Sequence, residues 1–323
     1  MTTYKEIFGK YVKNYSSDPT ADIEGQVWYN TTSGTFKTEE LVAAAWASGG
    51  NMATARTVLG GTGTQTAGLA MGGFTVFPTI TAATEEYDGS TWSPGGNLAS
   101  GRTTTGAGTQ TAGLAIGGFI PSVNTAATEE YNGSTWGPGG NLITARRNIA
   151  GAGTQTAGLG IAGYTTAVVN NTEEYDGSTW TAGGNLGTAV TGLAGAGIQT
   201  AALGFGGITA TGTTAATEEY DGSAWTAGGS LNTARRYLAG AGTQTAALAF
   251  AGGLSDPSNT AATESYNGTS WNNTSSMSTA RRFLAGGGTQ TAGLAFGGQT
   301  TASTAVTEEF TGAFLATKTI PTS

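Results

Sequence analysis

TEEYDGSTWSPGGNLASGRTTTGAGTQTAGLAIGG, Thr84 to Gly118, decides the fold, because close copies of it recur from Thr38 to Phe314. An apolar residue follows each acidic pair: Leu41, Tyr87, Tyr131, Tyr175, Tyr220 and Phe310, with Tyr266 after the degenerate pair Glu264-Ser265. Five residues further on stands Trp46, Trp92, Trp136, Trp180, Trp225 or Trp271, and the last copy has Phe314 one residue early. Consecutive Trp residues of this series lie 44 to 46 apart. A fixed period of that length marks a solenoid, a propeller or an array, and the strand-like pattern within each period predicts a propeller.

In one unit, Asp88-Gly89 stands between two β-prone segments, a pair suited to the positive φ values of a type I′ hairpin turn. Asn132-Gly133, Asp176-Gly177, Asp221-Gly222 and Asn267-Gly268 repeat it. Arg102 to Ala107 then leads through Gly108-Thr109-Gln110 into Thr111 to Gly118, two more short strands about a turn. Four antiparallel strands in about 45 residues make one propeller blade. First strand pairs begin at Arg56, Arg102, Arg146, Val190, Arg235 and Arg281, which predicts six blades. Seven acidic strands are one too many for six blades, so Val42 to Trp46 is expected to complete the blade that Arg282 to Phe310 begins. Closure of this kind removes exposed sheet edges.

The order of apolar strand, Gly-Gly, variable loop, Glu-x-Tyr, short turn, Trp and then Ala-Arg resembles the kelch repeat. Tyr220 to Trp225 with Gly252-Gly253 and Ala234-Arg235 is a good copy, and the resemblance covers most of the chain. It implies an all-β, six-bladed β-propeller of four-stranded antiparallel blades over residues 38–316. It says little about function, since kelch propellers serve adaptors, oxidases and structural proteins alike.

A propeller accommodates all 323 residues in one main domain, although length alone would suggest two. The chain has 55 Gly and 38% hydrophobic residues, yet its phased Tyr, Trp and Gly-Gly landmarks separate it from low-complexity sequence. Without Cys or His it has no zinc site of the usual kind, thiol nucleophile, His-based triad or disulfide. A net charge of −8 argues against a nucleic-acid partner. No apolar run approaches the length of a membrane span, and MTTYKEIFGKYVKNYSS lacks the apolar core of a signal peptide, so a soluble protein without membrane insertion is expected. No cofactor is expected.

Residues 1–37 lie outside the repeat. Tyr4, Ile7, Phe8, Tyr11 and Val12 have rough helical spacing up to Pro19, and residues 25–37 read as a β-hairpin about Thr31 to Gly34. Such a segment could simply cap the propeller. The stretch PTADIEGQVWYNTTSGTFK, residues 19–37, resembles a hairpin segment of phage virion proteins, which implies an attachment module with Val27, Trp28, Tyr29 and Phe36 as contact residues. Lys5, Lys10, Lys13 and Lys37 make it more basic than the rest. Residues 317–323 read as a peripheral tail.

In a four-strand meander the link into the first strand and the loop between the second and third leave on one face. The arginines therefore share a face with six variable loops, residues 74–83, 119–127, 164–171, 208–216, 254–262 and 299–306. Arg56, Arg102, Arg146, Arg235 and Arg281 occupy one equivalent position, broken by Val190, while Arg147, Arg236 and Arg282 each follow one of them. Two outcomes are open for the first set: pairing with glutamates and backbone carbonyls, or a cationic ring at the mouth of a central channel that grips anions bidentately. Kelch adaptors resemble this chain in lining a ligand pocket with arginines at the start of that strand. With Phe74, Phe119 and Tyr164, these five arginines are the candidate ligand-binding residues. Alternation along a strand puts Glu85 with Tyr87 and Glu86 on the opposite side, so the acidic pairs do not imply acid–base catalysis. Their expected role is bonding between blades.

The expectation is a non-enzymatic phage virion structural protein of fibre, knob or decoration type. Residues 1–37 would bind other virion proteins, and the loops would meet a host glycan or surface protein. The alternative is a free, cytoplasmic, kelch-type module that binds carbohydrate or peptide.

Overall fold

The computed structural model describes residues 12–19 and 24–321. Among these the fold is all-β without a helix, and the strands form eight sheets, seven of four strands and one of two. The helix expected from Tyr4 onward falls outside the described residues except at Val12, which has no regular structure, and Lys13–Tyr15 is a strand. The chain divides into two compact units, Trp46–Thr311 on one side and Met1–Ala45 with Gly312–Ser323 on the other. The repeat-based segment of residues 38–316 contains the whole of Trp46–Thr311.

Within Trp46–Thr311 each period makes one sheet. The first consists of Gly60–Thr64, Ala67–Met71, Thr84–Tyr87 and Trp92–Pro94, paired antiparallel in chain order. The second to fifth begin at Thr103, Ala150, Ala194 and Ala239 and follow the same order. The sixth joins Ala285–Gly288, Ala292–Phe296 and Thr307–Thr311 to Ala45–Ser48; the strand expected there, Val42 to Trp46, overlaps it only at Ala45 and Trp46, because Val42 pairs with Phe314 in another sheet. A short additional hairpin, Ile208–Thr209 with Gly212–Thr213, rises from the fourth variable loop.

The strands are short and poor in large apolar residues, so burial is concentrated between successive sheets. Leu69 and Met71 of the first sheet cluster with Ala115 and Tyr131 of the second, with Trp136 packed against them. Trp92, Trp136, Trp180, Trp225 and Trp271 each lie against the Tyr of their own hairpin, as in Tyr175 and Trp180 with ring centroids 4.9 Å apart, while Trp46 packs against Phe310 and Phe250. Such pairs add to the transfer free energy of the rings themselves.

Three donors in five of the six repeat sheets, and two in the sixth, reach into the neighbouring sheet before them. Trp136 Nε1 donates to Thr84 Oγ1 at 2.9 Å, and Gln110 Nε2 donates to the carbonyls of Gly68 and Tyr87 at 3.0 and 2.7 Å. The Tyr131 hydroxyl donates to Glu86. The first sheet sends the same three bonds to the sixth: Trp92 to Thr307 at 2.9 Å, Gln65 to Gly293 and Phe310 carbonyls, and Tyr87 to Glu309 at 2.5 Å. Burial, and then the bonded carboxylate, pushes the phenols of Tyr87, Tyr131, Tyr175, Tyr220 and Tyr266 up to about 12. The first glycine of each Gly-Gly link makes room for that hydroxyl: a Cβ on Gly139 would stand 2.8 Å from Tyr175 Oη.

One joint departs from this pattern at three places together. The sixth sheet has Phe310 where the others have Tyr, and the position that would receive its hydroxyl is Ser265 instead of Glu. The link facing it carries Thr274-Ser275 instead of Gly-Gly. With no hydroxyl to accommodate, neither the carboxylate nor the bare glycine is required.

The Asx-Gly turns are four-residue loops rather than the two-residue type I′ turns expected. Tyr87 pairs with Trp92, and only Gly89 of the Asp-Gly pair has positive φ, at 93°. The Asp88 carboxylate takes over part of the turn, accepting the N–H groups of Ser90 and Thr91 at 2.8 and 2.7 Å and the Ser90 hydroxyl at 2.9 Å. Such side-chain acceptance replaces the backbone bonding of a tighter turn.

In the second unit, Val27–Asn30 and Thr35–Val42 form the expected hairpin, with Tyr29 opposite Phe36. Lys13–Tyr15 joins parallel on one side, and Phe314–Thr319 pairs antiparallel with Thr35–Val42 on the other. Residues 317–319 are therefore strand and not peripheral tail. Leu41, the apolar landmark of the first acidic strand, belongs to this sheet and is exposed.

Two stability predictions follow from these bonds. Phe310→Tyr alone should cost about 1–3 kcal/mol, because its hydroxyl would crowd Thr274 and lack the carboxylate that the other tyrosines have. Adding Ser265→Glu and Thr274→Gly should recover that loss in urea denaturation, and a triple variant no better than the single would refute the joint. The second prediction concerns acid. Bonds from the Thr91 N–H, the Ser90 hydroxyl and the Ser90 N–H hold the Asp88 carboxyl down at about 2, and Asp176 and Asp221 are lowered for the same reason. A depressed folded-state value means stability present above the unfolded value near 3.8 and lost as pH falls toward 2. Replacing all three by Asn, as at Asn132 and Asn267, should flatten stability between pH 4 and 2, measured by thermal melting.

Candidate functional site

The loop between the second and third strands of every repeat leaves from the end of the sheet where the arginines stand, which gathers the unlike residues of the repeats at one end. Arg56 pairs with Glu85 at 2.7 Å, Arg102 with Glu129 at 3.0 Å, Arg146 with Glu173 at 3.1 Å, Arg235 with Glu264 at 2.8 Å and Arg281 with Glu308 at 3.1 Å. All five side chains are buried. Arg56 also donates to the carbonyls of Gly72 and Ala83, and Arg146 to those of Gly160 and Asn171. The other oxygen of each glutamate accepts a backbone N–H from the link before the first strand, as Glu85 does from Ala53 at 2.6 Å.

Of the two outcomes open for these five arginines, the structure shows pairing with glutamates and backbone carbonyls and not a cationic ring at a channel mouth. The arginines are consumed inside the sheets, because a glutamate 27 to 29 residues later in the same repeat turns its carboxylate inward to meet each one. The acidic pair divides its work: Glu85 bonds within its own sheet, and Glu86 bonds to Tyr131 of the next. Only the second glutamate bonds between sheets, the role expected of both. Where Val190 replaces Arg, Glu218 is less buried and accepts the Gly187 N–H at 2.8 Å.

A cavity of about 250 Å³ is lined by the first strands of all six repeat sheets. Its walls are mainly Gly and Ala, with backbone groups facing the space, and Val58, Asn148, Gly192, Tyr237 and Phe283 stand at the starts of the strands. These five residues share a left-handed backbone conformation. The N–H of Val58 donates to Phe283 O, that of Phe283 to Tyr237 O, that of Tyr237 to Gly192 O and that of Gly192 to Asn148 O. The Tyr237 ring covers Gly192, where any Cβ would lie 2.4 Å from it, and stacks on Phe283 with centroids 4.0 Å apart.

Around this aromatic pair stand the three remaining arginines. Arg236 donates to Asp256 at 2.7 Å, Arg282 donates to the other oxygen of Asp256, and the two guanidinium groups lie over Tyr237 and Phe283. Arg147 lies between Phe119 and Tyr164, its Cζ 4.9 and 4.8 Å from the ring centroids, and donates to Asn124 Oδ1 at 3.3 Å. The Arg282 guanidinium, with Arg236 beside it, holds the Asp256 carboxyl below the usual range. Burial pushes the Tyr237 phenol up, and the three arginines oppose that shift.

Of the other residues singled out from sequence, Phe119 and Tyr164 do meet, through Arg147. Phe74 is buried against its own loop and Phe77, which is 78% exposed. In the terminal sheet Val27, Tyr29 and Phe36 are half-buried, with Tyr29 and Phe36 in ring contact at 5.1 Å. Trp28 is fully buried and donates to Asp18, so its place is in the core of that unit and not on a contact surface. Sequence reasoning missed Arg147, Arg236, Arg282 and Asp256. The signal was the Arg-Arg doublet in three repeats, of which only the first member has a glutamate in its own sheet.

Compared with the known protein families and with curated proteins, the chain matches none.

Removing one member of a buried ion pair leaves the other uncompensated. Arg146→Met should therefore cost about 3–5 kcal/mol. Arg146→Met with Glu173→Gln should recover most of that loss, read from denaturation midpoints. A double variant as unstable as the single would show that Glu173 is not the group being left behind.

Proposed function

We propose that the six repeat sheets close into one kelch-like, six-bladed β-propeller that serves as a non-enzymatic binding scaffold in a phage virion. The observation that carries the ring is the set of bonds from Trp92, Gln65 and Tyr87 of the first sheet to the sixth, identical in kind to those between sheets adjacent in the chain. The strand Ala45–Ser48 supports it further, since the sixth sheet is then sewn shut by the two ends of the repeat region.

The binding role rests on where the repeats differ. Asx-Gly and Gly-Thr-Gln turns are nearly alike in every repeat and hold the sheets together. The loops at the opposite end differ in length and residues, and they surround three arginines not used in the repeated glutamate pairs. A scaffold with one monotonous end and one varied end suits presentation of the varied end to a host-surface glycan or protein. The virion assignment draws on the resemblance of residues 19–37 to virion hairpin segments, with the terminal sheet as the attachment module. Tyr29 and Phe36 are its contact residues.

Mass spectrometry of purified particles from the source should find the chain at fixed stoichiometry, with six-fold discs of its propeller visible by electron microscopy of the isolated protein. Absence from purified particles would overturn the virion assignment. Images of an open array would overturn the ring.

A further inference from the structure

We propose that Arg147, Arg236 and Arg282 form a binding site for a carboxylate-bearing sugar, and that Asp256 is a built-in competitor that occupies two of the three guanidinium groups until the ligand displaces it. The proposal rests on the scaffold reading and deepens it by naming the ligand class. Its first support is that a carboxylate already sits there: Asp256 bridges Arg236 and Arg282 from an exposed loop, its side chain 68% accessible. Those guanidinium groups are largely covered and backed by Tyr237 and Phe283, which fixes their planes for bidentate recognition. Arg147, held between Phe119 and Tyr164, has an amide oxygen but no carboxylate among its described partners.

The second support is a comparison between repeats. Asn124 donates to the carbonyls of Tyr164 and Thr165, and its Oδ1 accepts Arg147. Asn259, its counterpart three repeats later, donates to the carbonyls of Gln299 and Thr300 in the same manner. Its Oδ1, however, is buried without a hydrogen-bond partner, because Arg282, the counterpart of Arg147, has turned to Asp256. Arg282 thus has a second seat at Asn259 Oδ1, and the Asp256 contact is one of two positions open to it. The surrounding loops carry partly exposed hydroxyl and amide side chains, at Thr165, Gln299 and Thr300. These suit a sugar better than a peptide, which needs a free strand edge or an apolar groove.

Calorimetry on the full chain would use trigalacturonate and 3′-sialyllactose, their methyl esters, and a glutamate-rich peptide. Asp256→Ala should bind one of the two acidic sugars about tenfold more tightly than the wild type, a gain equivalent to one charge-assisted hydrogen bond. Arg236→Ala or Arg147→Ala in that background should reverse the gain, with unfolding midpoints verifying the fold and Arg147→Lys retaining part of it. Equal binding of the methyl esters, no change with Asp256→Ala, or tighter binding of the peptide would overturn the proposal. Failure of both acidic sugars while the chain is still found in purified particles would remove this site and leave the scaffold reading standing.

Discussion

Backbone meets backbone where the first strands of successive sheets converge, and the rest of the molecule adjusts to that. A Cβ on Gly106 would stand 2.6 Å from Gly61 O, one on Gly151 2.5 Å from Gly106 O, and one on Gly287 2.8 Å from Gly63 O. Contacts this close leave no room for side chains on that side, so Gly and Ala alternate there and the strands contribute little apolar area. Cohesion must come from further out, where Leu, Tyr and Trp pack between sheets and Trp, Gln and Tyr donate to the neighbouring sheet. The abundance of glycine is thus a packing requirement, which explains how a chain so poor in large apolar residues still builds a core.

The same economy governs charge. Five arginines and their glutamates are buried in pairs, each supported by backbone carbonyls on one side and a backbone N–H on the other. Breaking such a pair is costly even where the pair itself adds little net stability, so it specifies geometry more than it raises stability. Because the repeated arginines are consumed in this way, the charge left to act on other molecules is small and local. It lies on the second arginines of three repeats, which makes the proposed binding face asymmetric within a nearly symmetric scaffold.

Parts of this were legible in the sequence and parts were not. The period, the strand pairs and the extra acidic strand were visible because they depend on alternation and turn residues close together in the chain. The joint at Phe310 shows the limit: Phe310, Ser265 and Thr274 look like unrelated lapses of the repeat until the tyrosine of one sheet is seen to reach the second glutamate and the glycine link of the sheet before it. Asp88 shows another, since the Asp-Gly pair predicts a turn correctly but its backbone geometry depends on whether the carboxylate or the main chain completes the bonding.

The sequence by itself determined an all-β repeat with one sheet per period, a surplus strand before the first repeat, and the end of each sheet where variable loops leave. Only the tertiary structure decided which arginines are buried and which are left over, because a long side chain ends far from its own backbone and its partner is chosen by packing. Arg56 and Arg102 read in sequence as candidates for a ligand and prove to be interior groups, while Arg236 and Arg282 meet an aspartate on a loop that no repeat pattern predicts.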